Sequence, residues 1–170
     1  MHETPEDIAA LQDVLDRSYA SAGPHLLAIH TPSWRADAER LVELLQGMVV
    51  LDLATVNSRG EPIQGPVDGM FYRGRFWCGS ARTSLRARHI KANPHVSVAH
   101  VRGEQLAVVV HGKALEVAKS TERALGFRAY AIEVYGQEII DFHWHGDAVY
   151  WEIEPSKMFA LDRRQEDIRH

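Results

Sequence analysis

The sequence predicts a mainly β fold with flanking helices (α+β), in which six or seven antiparallel strands form a small barrel. Between positions 48 and 162, short runs of β-branched and apolar residues are separated by turn residues. Apolar residues at helical spacing are confined to the start of the chain and to two internal segments. A repeated strand-helix-strand rhythm, which a parallel sheet requires, is missing from the sequence.

The length and composition of the chain suit one globular domain. Its 170 residues are 45% apolar and 25% charged, which is enough to form a hydrophobic core. We expect a helical extension over residues 1–46, a cofactor-binding barrel over 47–162 and a tail over 163–170.

The first element is an amphipathic helix. It begins after Thr4, an N-cap residue that is followed by Pro5. Apolar residues then recur on one face: Ile8, Leu11, Leu15 and Tyr19. Ser33 is predicted to cap a second helix, which ends at Gly47. Two helices are therefore expected before the barrel begins.

The barrel segment divides into strands at its turn residues. We expect strands over 48–56, 63–72 and 75–80, a short basic helix over 84–92, and further strands over 95–101 and 106–117. Ser120 is expected to cap a helix that extends to Tyr135. Two closing strands, 148–154 and 157–162, are expected on either side of Pro155.

Charge is unevenly distributed along the chain. The net charge of −4 argues against a nucleic-acid partner, because phosphate backbones require a basic surface. No acidic residue lies between Asp68 and Glu104. That segment instead holds seven basic residues: Arg73, Arg75, Arg82, Arg86, Arg88, Lys91 and Arg102. It therefore predicts a local site for anions.

The location expected from the sequence is the cytoplasm. The first residues are polar and acidic, unlike a signal peptide, and no run approaches the roughly 20 apolar residues of a membrane span. The sequence has one cysteine, Cys78, so no intrachain disulfide can form, as is usual for a protein of the cytoplasm. The apolar neighbours of Cys78 indicate a small buried hydrophobe rather than a nucleophile.

The segment from Leu53 to Val98 carries a series of short motifs. They are LATV (53–56), GEP (60–62), PV (66–67), GRFW (74–77), SLRA (84–87) and NP (93–94). In this order they resemble the pyridoxamine-phosphate-oxidase-like, flavin-binding split β-barrels, and the resemblance extends over residues 40–162. It implies an oxidoreductase acting on a small organic molecule, with FMN or the 5-deazaflavin coenzyme F-420 as cofactor. It also implies a homodimer with its cofactor sites at the subunit interface.

Within this resemblance, the predicted cofactor site falls on three short segments. Ser84 offers a hydroxyl and first-turn amides, and Arg86 a planar fork able to bind a phosphate. Arg82 adds positive charge. Gly79 and Ser80 are expected to bring backbone close to the flat ring. By resemblance, Pro66, Val67 and Asp68 lie along the isoalloxazine edge.

Two departures from the family pattern argue against true pyridoxamine-phosphate oxidase activity. Arg86 stands where the family has a phosphate-binding lysine, and the flavin-edge segment lacks the usual arginine and lysine. The choice between FMN and deazaflavin is left open. No catalytic acid or base is predicted, because no titratable residue is tied to the ring by a motif.

The alternative interpretation is a non-catalytic module that binds or stores FMN or haem. His143, His145 and Asp147 alternate, and on a strand they would share one face, as ligands of haem or a metal require. Without a third histidine at fixed spacing, a surface loop before the strand at Ala148 is the favoured explanation, and no metal site is predicted. The aromatic residues Trp144, Tyr150 and Trp151 are expected to pack either in the core or against a cofactor.

Overall fold

The computed structural model describes residues 2–163 and has a barrel of six strands with helices around it. The strands are β1 (Met48–Val56), β2 (Pro62–Tyr72), β3 (Arg75–Ala81), β4 (His95–Arg102), β5 (Leu106–Glu116) and β6 (Ala148–Asp162). The α-helices are α1 (Pro5–Ala20), α2 (Pro24–Ile29), α3 (Ala38–Leu44), α4 (Leu85–Ala92), α5 (Glu122–Tyr135) and α6 (Gln137–His145). Around the closed antiparallel barrel the strands run β1-β2-β3-β6-β5-β4, which confirms the predicted fold class.

Helix α1 begins where the sequence predicted it. The Thr4 hydroxyl accepts a hydrogen bond from the Asp7 amide, and the Asp7 carboxylate accepts one from the Thr4 amide. This reciprocal pair is a capping box. Leu11 and Leu15 are buried in the same hydrophobic cluster as the barrel residues. The N-terminal extension therefore shares the core of the barrel.

Helix α1 also binds the backbone of β6. The Ser18 hydroxyl accepts a hydrogen bond from the Met158 amide at 2.8 Å. The Tyr19 hydroxyl accepts from the Ala160 amide at 3.1 Å and donates to the Ala160 carbonyl at 2.9 Å. These contacts lie beyond Ala148–Glu152, the stretch of β6 that pairs with β3.

The second helix starts later than predicted. Ser33 does not cap it but lies in a 3₁₀ turn, Pro32–Trp34. The cap of α3 is Asp37, whose carboxylate accepts a hydrogen bond from the Arg40 amide at 2.9 Å. The short helix α2 was not expected, because Gly23 and Pro24 indicated a connector, whereas Pro24 in fact occupies the first turn of α2.

The predicted strands are present, but the last two are one continuous strand. In the β5–β6 ladder His111 pairs with Lys157 and Gly112 with Pro155, which leaves Ser156 as an extra residue. Proline is tolerated at such a bulge because no ladder hydrogen bond is needed from it. A Cβ on Gly112 would lie 2.0 Å from the Glu154 carbonyl oxygen, so the bulge requires glycine there.

The helices of the second half also differ in part from the prediction. Ser84 caps α4 as expected, whereas Thr121, not Ser120, caps α5. Helix α6 was not predicted. It follows Gly136, which has a positive φ of 89° and separates it from α5.

The apolar side chains form two clusters. One fills the barrel and the other lies between the α5–α6 pair and the outer surface of the sheet. In the second cluster, the rings of Trp77 and Phe127 are stacked with centroids 4.5 Å apart. Cys78 is buried as predicted, and burial raises the pKa of its thiol to about 12. No helix within residues 2–163 combines the length and the hydropathy needed to cross a bilayer.

The predicted tail begins at the edge of the described chain. Residues 164–170 lie outside the described residues, so only Arg163 of the predicted tail is placed.

Candidate cofactor site

Strands β2 and β3 pair over only part of their length. Their shared ladder runs from Gly69–Cys78 to Tyr72–Arg75. Before Gly69, β2 continues beside β1, while the end of β3 continues beside β6. In the described chain the two strands therefore part, and the backbone of residues 62–68 faces an opening.

Arg86 lies at this opening. One guanidinium nitrogen donates to the carbonyl oxygens of Gly65 at 3.3 Å and Pro66 at 3.0 Å. Among residues 2–163, no carboxylate lies within ion-pair distance of Arg86. The backbone of β2 holds the guanidinium in place, and its positive charge can attract an anion.

Ser84 contributes donors beside Arg86. Its hydroxyl oxygen accepts from the Ala87 amide at 3.1 Å and from the Ser80 hydroxyl at 3.0 Å. Both lone pairs are used, so the Ser84 hydroxyl proton is left to donate. The first-turn amides of a helix have no intrahelical acceptor, and the first turn of α4 holds no acidic residue. This set of donors suits a phosphate group.

Arg82 is directed elsewhere. Its guanidinium lies 3.0 Å from the Glu116 carboxylate and 3.8 Å from that of Asp147. Its charge is thus shared with two carboxylates, unlike that of Arg86.

The three predicted ring-edge residues face different directions. Val67 packs against the barrel core, as the alternation of a strand requires. Pro66 offers its carbonyl to Arg86, and Asp68 lines a cavity together with Gly79 and Ser80. The structure therefore brings Asp68, Gly79 and Ser80 together at one cavity.

The cavity lies between the α5–α6 pair and strands β2, β3 and β6. Its volume is about 660 Å³, within the range of small-molecule sites. Much of its wall is aromatic: Trp77, Phe127, Tyr135, Phe142, Trp144 and Tyr150. A flat ring fits this lining, so the residues present are compatible with a flavin.

Gly79 also has a structural role within its own chain. A Cβ at this position would lie 2.9 Å from the ring of Tyr150, so Gly79 leaves room for a tyrosine of its own chain. Tyr150 and Trp144 line the cavity with ring centroids 5.1 Å apart. Trp151, the third aromatic residue considered from the sequence, is buried in the barrel core.

Tyr135 was missed by the sequence interpretation as a site residue. It lies in the last turn of α5 and lines the cavity with Asp68. Burial, and then the negative charge of Asp68, raise the pKa of Tyr135 to about 12. Its hydroxyl therefore stays protonated at neutral pH and can donate a hydrogen bond.

The two histidines do not share a strand face. Both lie on α6, where two residues that are two positions apart differ by a rotation of about 200° around the helix axis. Their side chains therefore point to nearly opposite sides of the helix. Both side chains are exposed, but His143 lines the cavity and His145 does not. Within residues 2–163, no three His, Cys, Asp or Glu side chains come together as metal ligands.

The fold and this opening define the protein as a split barrel with a cofactor-type cavity. The family model described as pyridoxamine 5'-phosphate oxidase matches residues 38–162, most of the chain. The protein belongs to the pyridoxamine 5'-phosphate oxidase family. No curated protein sequence matches the chain.

Solved structures share the fold. A conserved hypothetical protein, Rv2991 from Mycobacterium tuberculosis, is 18% identical with a TM-score of 0.69, covering 83% of this chain and 94% of its own. The heme storage protein HutZ from Vibrio cholerae is 19% identical with a TM-score of 0.63, covering 76% and 95%. A FAD-binding protein from Mesorhizobium loti is 22% identical with a TM-score of 0.58, covering 74% and 92%.

Proposed function

We propose that the protein is a cytoplasmic oxidoreductase that binds FMN and acts on a small organic molecule. The observation that carries this proposal is the donor set of Ser84 and Arg86, which lies at the opening between β2 and β3. The aromatic cavity has room for a flat ring, and Asp68, Gly79 and Ser80 line it on the strand side. The phosphate and the ring of one cofactor would thus be held by neighbouring parts of one fold.

When bound, a flavin supplies a ring that exchanges hydride with a substrate. Ser84 and Arg86 would hold the phosphate, and the backbone of β2 keeps the Arg86 guanidinium in position. The Tyr135 hydroxyl offers a hydrogen bond beside Asp68 without losing its proton. The aromatic wall would contact the ring.

The proposal includes a homodimer. Val50 on β1 and Val101 on β4 are about half exposed on the outside of the barrel. Burial of such apolar surface against a second copy would be favourable. We expect Val101→Glu to shift the protein to monomer in sedimentation velocity, while Leu125→Glu, at an exposed residue of α5, leaves the dimer intact. A monomeric wild-type protein would contradict this part of the proposal.

The phosphate site is tested by titrating the cofactor-free protein with FMN and following the quenching of flavin fluorescence. We expect Arg86→Ala to weaken binding by about 1.5–3 kcal/mol, the value of a hydrogen bond to a charged group. Arg88→Ala is the matched control, because Arg88 is an exposed arginine of the same helix. Equal losses in both variants would show a general charge effect and no defined site.

A parallel titration with the deazaflavin coenzyme identifies the ring. If the deazaflavin bound more tightly than FMN and Arg86→Ala weakened its binding, the phosphate site would stand and the deazaflavin would be the cofactor. Failure of both to bind would overturn the proposed function.

A second candidate is a storage module for haem, favoured by the likeness to a heme storage protein and by the position of His143 at the cavity. Haem binding gives a shifted Soret absorbance that His143→Ala would weaken, whereas His145→Ala would leave it unchanged. Identical haem titrations of both variants and the wild type would remove this candidate.

A further inference from the structure

The cavity has two chemically different sides. The strand side, with Asp68, Gly79 and Ser80, is the one proposed above for the cofactor. The helix side is built from α5 and α6, and its more accessible aromatic side chains are those of Tyr135 and Phe142. This second side has no role in holding a phosphate, because the phosphate donors lie at α4.

The aromatic wall between the helix side and the sheet is suited to a flat ring. Trp77 stacks on Phe127 with an interplanar angle of 16°, and Trp144 lies against Tyr150. These rings are fixed by their mutual contacts, so they lose little freedom when a ligand binds. Trp77, Phe127 and Trp144 are buried and form a rigid backing. A planar ligand would meet the more accessible rings of Tyr135, Phe142 and Tyr150 in front of it.

The cavity lining carries two carboxylates and no permanent cation. Asp68 and Asp147 line the cavity together with His143, whereas no arginine or lysine does. Within residues 2–163, Asp68 has no cation at ion-pair distance, and Asp147 shares Arg82 with Glu116. An anionic ring would meet like charge and lose its hydration here, both of which are unfavourable.

Lys119 lies behind the aromatic wall of the cavity. Lys119 donates to the Trp144 carbonyl at 2.6 Å and lies 5.7 Å from the centroid of the Tyr150 ring. Its ammonium group therefore contacts the aromatic residues, and Lys119 is not part of the cavity lining.

Phe142 provides additional apolar surface at the cavity. Although it lines the cavity, its side chain is 77% exposed, the highest value among the large apolar residues of the described chain. Helix α6, which carries it, lies between Gly136 and Gly146. A ligand that covers this ring would remove apolar surface from water.

From these observations we infer that the helix side is the substrate subsite, and that it accepts flat rings that are neutral or positively charged and rejects anionic rings. The inference rests on the proposed function, because it assigns the strand side to the cofactor. It separates the two recognition tasks: the phosphate binds at α4, and the uncharged or cationic ring binds under α6.

The test uses three probes with one ring system: 2-naphthalenemethanol, 2-naphthylmethylammonium and 2-naphthoate. Each is titrated by calorimetry into the full-length protein, with and without saturating FMN. We expect the neutral and cationic probes to bind in both states, and the anionic probe to bind about tenfold or more weakly.

Two pairs of variants test whether probe binding and charge discrimination arise at the cavity. Phe142→Ala should weaken the neutral probe severalfold, whereas Leu125→Ala, at an exposed residue of α5 outside the cavity, should not. Asp68→Asn should reduce the discrimination against 2-naphthoate, while Asp16→Asn, at an exposed acid of α1, should leave it unchanged.

The outcomes separate this inference from the proposed function. Equal affinity for all three probes, or displacement of the probes by FMN, would overturn the subsite and leave flavin binding intact. If FMN failed to bind while the probes kept the predicted order, the proposed function would fail and the charge selectivity of the cavity would stand.

Discussion

Two cavities of similar volume differ in how their polar groups are satisfied. The cavity beside α1 measures about 530 Å³ and has charged walls that include Asp7, Arg73 and Arg123. The cavity beneath α6 measures about 660 Å³ and is mainly aromatic. Size alone would not decide which of them binds a ligand.

The difference lies in the partners of the charged groups. Beside α1, Arg73 lies 2.8 Å from Asp7, while Arg75 and Arg123 lie 3.0 Å and 2.7 Å from Glu152. These arginines join α1 and α5 to the barrel, so their charges serve the fold.

Around the cavity beneath α6, polar groups lack partners within the described chain. Asp68 has no ion pair, and the buried Nε1–H of Trp77 has no acceptor within residues 2–163. Groups of this kind, more than the volume, mark the candidate site.

The largest expected effect concerns the aromatic cluster. Phe127→Ala removes the ring stacked on Trp77, and we expect it to lower the free energy of unfolding by about 3–5 kcal/mol. Urea denaturation measures this loss, with Leu125→Ala as the exposed control on the same helix. A loss below about 1 kcal/mol would show that the α5 wall contributes little to the fold.

A smaller effect is expected beside α1. Glu152→Gln removes the charge that accepts hydrogen bonds from Arg75 and Arg123, and should lower the free energy of unfolding by about 1–3 kcal/mol. We expect the FMN affinity to stay unchanged, since Glu152 does not line the cavity beneath α6. A matching loss of FMN affinity would break the distinction between the two cavities.

The smallest effect is a dependence on pH. Burial would raise the pKa of Asp7, but hydrogen bonds from Arg73 and the Thr4 amide, with the charge of Arg73, hold it below its ordinary value. The folded state is therefore stabilised above the unfolded pKa of about 4, and this contribution is lost as the pH falls through the lowered value. The stability advantage of wild type over Asp7→Asn, measured by denaturation, should shrink below about pH 4. A constant advantage down to pH 2 would contradict the prediction.

The sequence predicted the strands and the start of α4 well because their signals are local. β-branched runs ended by turn residues define strands, and Ser84 followed two residues later by Arg86 defines a helix start with a basic first turn. The hydrogen bonds of Arg86 to Gly65 and Pro66 were beyond prediction, since they depend on where β2 and β3 part.

Helix α6 was missed because its aromatic and histidine residues alternate as a strand would. Its true signal is the pair Ile140 and Trp144, buried four residues apart on one helix face. Asp37 was missed as a cap because Ser33 offered a similar signal earlier in the chain. In each case, competing local patterns were resolved only by the packing of the helix against the barrel.

The hydrogen bonds that the Met158 and Ala160 amides donate to the Ser18 and Tyr19 hydroxyls also cover the edge of β6 against strand addition. Past Glu152, β6 no longer pairs with β3, and an uncovered strand edge is a template for any extended chain that meets it. Helix α1 binds the amides at this edge of β6 through side-chain hydroxyls, and a side chain offers no new row of backbone groups to a further strand. A chain shortened past Ala20 would offer these backbone groups to its neighbours, and its main hazard would be sheet-like aggregation rather than simple unfolding.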